Sequence, residues 1–278
     1  MMKSRTSFVL MLAASVTLNA KEADNRYPGG ERADTTASVF APGLVSGPAQ
    51  EYGLTVDRVW SEIYFTRLEG DESVVMVTLR TGDAWSQPAP ASFSGEFIDA
   101  HPYLTPDGER LFFVSRRPCP GARQALNVWV VRRTREGWST PVSLGRPVID
   151  QTVHAPSVAS SGNIYATGLV RLRFSGERYT SPEPLSPPVI GSHPAISPDE
   201  SFLVFSARRD GGFGSNDLYV VFREDDRTWS EPKNLGAGVN TESVESSPTL
   251  SNDGEFLFFS RHGEIWWVDA EVIQSARH

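Results

Sequence analysis

Short apolar runs, each closed off by turn residues, recur along this chain at a near-regular interval. "EIYFT" at Glu62, "LFFVS" at Leu111, "NIYAT" at Asn163, "FLVFS" at Phe202 and "FLFFS" at Phe256 are continuous rather than alternating. A run of that kind, rich in β-formers, reads as a strand covered on both faces. Each is preceded by a marker: "LTVD" at Leu54, "LTPD" at Leu104, "VASS" at Val158, "ISPD" at Ile196 and "LSND" at Leu250, spaced 50, 54, 38 and 54 residues apart. Each is followed by a further strand-like run: "SVVMVTL", "LNVWVV", "LVRLRF", "NDLYVVF" and "EIWWVD". An aromatic-[Ser/Thr]-x-Pro element then recurs as "WSQP" at Trp85, "WSTP" at Trp138, "YTSP" at Tyr179 and "WSEP" at Trp229.

Each unit therefore comprises about four short strands, the signature of a propeller blade. The pattern predicts an all-β chain, a β-propeller of five blades of four antiparallel strands, with six blades as the alternative. Blades stack face to face, which accounts for middle strands that are apolar on both sides. Pro-Asp-Gly in "TPDG" suits a tight turn, because Pro presets φ, Asp bonds nearby amides and Gly accepts positive φ. The fifth unit ends without an aromatic-Ser-x-Pro element, while "SVFAPGLVSGPAQEYGLT" from Ser38 resembles the stretches that follow such elements. An N-terminal strand completing the last blade would close the ring and remove an open sheet edge. Residues 38–278 are thus assigned to the propeller, and the polar stretch 21–37 ("KEADNRYPGGERADTTA") is expected to be flexible.

The order Ser-Pro-Asp, strand, Arg-x-Gly-Gly-x-Gly, Asn-Asp-Leu-Tyr, Trp-Ser-x-Pro, Asn-Leu-Gly, Asn-Thr in residues 197–260 resembles the TolB-like, WD40-related propellers built from Pro-Asp repeats. Weaker copies extend the likeness over residues 38–270, and the repeat from Val158 to Pro188 departs furthest from it. The resemblance implies a propeller in an exported bacterial protein; it implies little about chemistry, since many such modules are scaffolds.

Composition narrows the setting. Residues 1–20 carry Lys3 and Arg5 ahead of the apolar run "FVLMLAASVTLNA", the layout of a secretory signal peptide cleaved after Ala20. The expected location is therefore periplasmic or secreted, with no membrane span. The net charge of −8, more negative once the two basic residues are removed, disfavours nucleic acid as a partner. A monomer without cofactor is expected. Cys119 is the one cysteine, so no intramolecular disulfide forms.

Catalytic motifs do not emerge: there is no G-x-S-x-G, no P-loop and no D-x-D-x-D calcium loop. The glycine-rich "RRDGGFGSND" reads as a long turn that Asp217 caps. Six residues at the starts of the inner strands remain as a candidate ligand site at the channel mouth: Glu51, Asp99, His101, His154, His193 and Glu245. His101 and His193 hold the same repeat position directly before Pro, with His154 one residue earlier, Glu51 aligned with His101, and Ser247 as the fifth equivalent. Imidazoles with a carboxylate suit a divalent metal or an anionic ligand, and neighbouring carboxylates would raise the imidazole pKa values. No residue is assigned a catalytic role. The expectation is a non-catalytic binding or scaffold module whose faces take a protein, peptide or glycan of the cell envelope. The alternative is a central-channel hydrolase, or a metal-dependent lyase, acting on a saccharide.

Overall fold

The computed structural model describes residues 26–277 except 124–125, 151–152, 187–188 and 226–227. The signal-peptide assignment lies outside the described residues. Five small antiparallel sheets surround a central channel. Blade 1 runs outward through Gln50–Val56, Glu62–Glu69, Glu72–Thr81 and Ala84–Trp85, and blade 2 through Asp99–Leu104, Arg110–Ser115, Asn127–Thr134 and Gly137–Trp138. Blade 3 has the shortest strands: Ser157–Val158, Ile164–Ala166, Val170–Leu172 and Glu183–Pro184. Blade 4 uses Ser192–Ile196, Phe202–Ala207, Asp217–Phe222 and Lys233–Asn234. Blade 5 uses Ser246–Leu250, Phe256–Arg261 and Glu264–Asp269, and takes its fourth strand, Ser38–Val39, from the N-terminus.

The chain closes as the sequence predicts, with Ser38 opposite Trp267 and Val39 opposite Trp266. The polar stretch before that strand is described from residue 26 onward, and that part touches the ring. Tyr27 is 1% exposed and its ring meets those of Trp60, Phe256 and Trp267 edge-on at 4.7, 5.2 and 5.8 Å. Arg32 pairs with Glu255 and Asp269 of blade 5.

All five continuous apolar runs are the buried second strands of their blades, and each is covered by a neighbouring blade. Phe65 and Phe258 share one cluster at the closing seam, while Phe112 packs with Val158 and Ile164 across blades 2 and 3. The aromatic-Ser-x-Pro residues wedge backwards: Trp138 Nε1 donates to the Tyr64 hydroxyl of blade 1 at 2.9 Å, and Trp229 meets Tyr165 of blade 3 at 6.2 Å. Asp217 accepts from the Phe213 and Gly214 amides and so caps the glycine-rich turn as read.

The structure corrects one register. The first hairpin of blade 2 closes where the Thr105 amide meets the Arg110 carbonyl, and the matching bond in blade 1 joins Asp57 to Glu62. "LTVD" therefore sits two residues early, and the true blade 1 turn is "DRVWS". Its third-corner position is left-handed in every blade: Trp60 (φ 56°), Gly108 (73°), Gly162 (86°), Glu200 (61°) and Gly254 (79°). Glycine is the default there. Trp60 and Glu200 are held by side-chain bonds to neighbouring blades, Trp60 Nε1 to Asp253 at 2.6 Å and Glu200 to Tyr165 at 2.6 Å.

Candidate functional site

Each blade places one residue in the left-handed region, within its inner strand or, in blade 3, just before it. These residues are Gly53 (φ 59°), His101 (51°), Ala155 (47°), His193 (50°) and Ser247 (51°). In blades 1, 2, 4 and 5 the ladder slips at this point, as a β-bulge does. Left-handed backbone at a non-glycine residue costs on the order of 1–3 kcal/mol, and such strain gathers at sites that need a particular side-chain aim. Here it turns one residue per blade into the channel. The ring they form, with Pro102, Pro156, Pro194 and Pro248, narrows the channel to a cavity of about 20 Å³, room for about one water molecule.

His101 and His193 meet across this neck with ring centroids 5.3 Å apart and planes tilted by 36°, and Tyr52 stands edge-on to His101 at 5.0 Å. Gly53 makes room for the pair: a Cβ there would lie 3.1 Å from His101 Nδ1 and 3.3 Å from its Cα. His193 Nδ1 lies 3.1 Å from the Ser192 hydroxyl. Above the neck the channel opens into a mouth of about 380 Å³ lined by Gln50, Glu51, Tyr52, His101, His193 and Ser246 among others, within the range of small-ligand sites.

The six predicted residues do not form one cluster. His101 and His193 belong to the ring. His154 falls one position short of it, because Ala155 holds the equivalent place, yet it is close enough to act electrostatically on both other imidazoles. Glu51 is equivalent to Asp99 and Glu245, not to His101, once the register of blade 1 is corrected. Each of these carboxylates is buried and bound by an arginine at the end of its own second strand: Glu51 by Arg67 at 3.0 Å, Asp99 by Arg117 at 2.9 Å and Glu245 by Arg261 at 2.7 Å. The remaining oxygens serve local backbone and hydroxyl groups, Glu51 accepting from the Gly47 amide and Glu245 from Thr241. These acids latch the entry loops of blades 1, 2 and 5; of the three, Glu51 borders the mouth.

The electrostatics run opposite to the expectation of raised imidazole pKa values. Burial, then repulsion from His193 and His154, pushes His101 down to about 3. Burial also lowers His154 and His193. Burial raises Glu51 and Asp99 despite their arginines. The carboxylates do not support the imidazoles because their arginines engage them. Three neutral imidazoles can donate and accept hydrogen bonds but bring no cationic charge. Among the described residues no three His, Cys, Asp or Glu side chains are placed to hold a metal ion. The three arginines and Tyr52 escaped the sequence reading. A signal was present in the Arg that follows "FT", "VSR" and "FS" at the second strands of blades 1, 2 and 5.

Ring closure, blade count and channel define the class: a five-bladed β-propeller. No sequence family matches the chain, and no curated protein is similar to it in sequence. Many solved structures share its fold. TolB from Acinetobacter baumannii superposes with a TM-score of 0.50 at 11% identity over 82% of this chain, which spans only 56% of that protein. The α-L-arabinofuranosidase PaAbf62A from Podospora anserina gives 0.53 at 10% identity, covering 84% of this chain and 97% of that one. The Bacillus subtilis arabinanase Arb43A gives 0.51 at 12% identity, covering 81% and 95%. Among the described residues no helix is long and apolar enough to cross a membrane.

Proposed function

We propose that this propeller is a non-catalytic binding module whose channel mouth takes an uncharged, hydrogen-bonding part of a protein, peptide or glycan. One observation carries the reading: the three inner-strand carboxylates are each bound by their own arginine, so the neck presents neutral imidazoles and hydroxyls and no free charge. Export to the periplasm or beyond is part of the same reading and rests on residues 1–20; a mature chain starting at Lys21 in mass spectra of native material is the expected result.

The second reading, a saccharide hydrolase, starts from the fold shared with the arabinofuranosidase and the arabinanase along nearly their whole lengths. Glycoside hydrolysis needs two carboxyl groups roughly 5–9.5 Å apart with separated pKa values, one free to hand over a proton. Arginine-bound, buried acids fit that need poorly. The two readings separate in a screen of arabinan and aryl glycosides beside a glycan and peptide array. The expected outcome is no turnover, with array binding that His101→Gln weakens by about tenfold. Reproducible turnover abolished by Glu51→Gln, Asp99→Asn or Glu245→Gln would overturn the proposal.

A further inference from the structure

Blade 2 sets two arginines face to face. Arg110 and Arg132 are direct cross-strand partners, an arrangement in which like charges destabilise a sheet. Among the described residues neither guanidinium makes an ion pair; Arg110 rests over the Phe112 ring at 5.7 Å. Equivalent pairs in other blades set no two cations together: Glu62 faces Leu79, Phe202 faces Phe222 and Phe256 faces Asp269. Other arginines at blade edges have partners of their own: Arg133 pairs with Glu62, Arg223 with Glu200 and Arg32 with Glu255, and Arg80 donates to the Trp60 and Val59 carbonyls. Arg110 lowers the Asp107 carboxyl from a distance, but no acid pairs directly with either guanidinium among the described residues, so in a chain of net charge −8 the pair stands out as short of a direct anionic partner.

The pair lines a cavity of about 200 Å³ between blades 2 and 3, whose far wall is Phe174, Glu177 and Tyr179 from the third hairpin of blade 3. Both guanidiniums act on the Tyr179 phenol, drawing its pKa down against the burial that pushes it up to about 12. The phenol therefore keeps its proton as a donor in the cavity that the two arginines also line. Glu177 pairs with neither arginine. Phe174 and Tyr179 lie ring to ring at 5.0 Å, and both line the cleft beside the charge.

We propose that this cleft binds one carboxylate-bearing sugar ring, a uronate, with Arg110 and Arg132 on the carboxylate and Tyr179 beside the ring. Guanidinium forks match a carboxylate in a bidentate manner, and an amphipathic aromatic wall suits a sugar. A volume of about 200 Å³, below that of ordinary drug-sized sites, suits one ring. The cleft is separate from the channel mouth and does not depend on the function proposed for it.

Calorimetric titration at low salt tests the idea, with glucuronate, glucose and tetraglutamate as the probes. Saturable glucuronate binding is expected, with glucose at least about tenfold weaker and affinity falling as sodium chloride is raised. Arg110→Gln and Arg132→Gln should each weaken glucuronate by about tenfold or more. Without ligand both variants should melt no lower than the parent, because each removes a like-charge contact. If Arg110→Gln does not fold, Arg132→Lys, which keeps the charge but loses the fork, should show the same weakening. His101→Gln should leave the glucuronate titration unchanged, which separates this cleft from the mouth. No response to glucuronate, equal binding by the arginine variants, or binding of tetraglutamate alone would each overturn the proposal.

Discussion

His101 shows how much one residue's place in the ring decides. Unfolded, an imidazole titrates near pH 6.5; folded, His101 stays neutral down to a pH of about 3, because burial and two neighbouring imidazoles oppose its charge. Between those values the unfolded chain takes up a proton that the folded one refuses. Stability is therefore indifferent above about pH 6.5 and falls as pH drops below it, by up to about 1.4 kcal/mol per pH unit for each such group. Glu51 and Asp99, raised by burial, act with the opposite sign and only near the carboxylate range. Urea denaturation at pH 7 and pH 5 should show a clear loss for the parent protein and a smaller one for His101→Gln/His193→Gln. Identical pH dependence would show that the histidines titrate as they do in water.

At the scale of the element, the inner strand is held by its bulge and by the latch between its acid and the arginine of the second strand. Glu245 is fully buried and Arg261 nearly so, and Arg261 also stacks over Trp266 at 4.3 Å. Removing one partner of a buried pair leaves a charge without compensation and typically costs about 3–5 kcal/mol. Arg261→Ala should therefore lower stability by that order, read as a fall in the urea midpoint. Arg32→Ala, at a site whose arginine side chain is 38% exposed, should lose no more than about 1 kcal/mol. Equal losses at the two sites would mean that the latch adds nothing beyond an ordinary surface pair.

At the scale of the molecule, closure depends on the N-terminus. Ser38–Val39 supplies the outer strand of blade 5, and Tyr27, Phe40 and Val45 are buried in the seam cluster with Trp60, Phe258 and Trp267. A chain beginning at Gln50 would expose the edge of Glu264–Asp269 and empty that cluster. It should melt over a broad range in place of one cooperative transition, as followed by circular dichroism. A sharp transition at the parent's temperature would show that the ring holds without its closing strand.

The sequence by itself determined what is local or repeated. Continuous apolar runs require two-sided cover, turn residues mark where strands end, and a missing last strand with a spare first one implies closure; five blades follow from these. It also selected His101 and His193, because they share a position before proline. Tertiary structure alone decided the register of blade 1, since the repeat there is a backbone one. Trp60 takes a left-handed position that other blades give mostly to glycine, so matching by side chain misplaced Glu51 by two residues. The partners of the acids were likewise out of reach, because Arg67, Arg117 and Arg261 meet them through hairpin geometry. Side chains in a strand alternate sides at every residue, and a bulge re-aims them. Which residues face the channel is therefore a property of the folded backbone, and the facing arginines of blade 2 become a site only when blade 3 is laid against them.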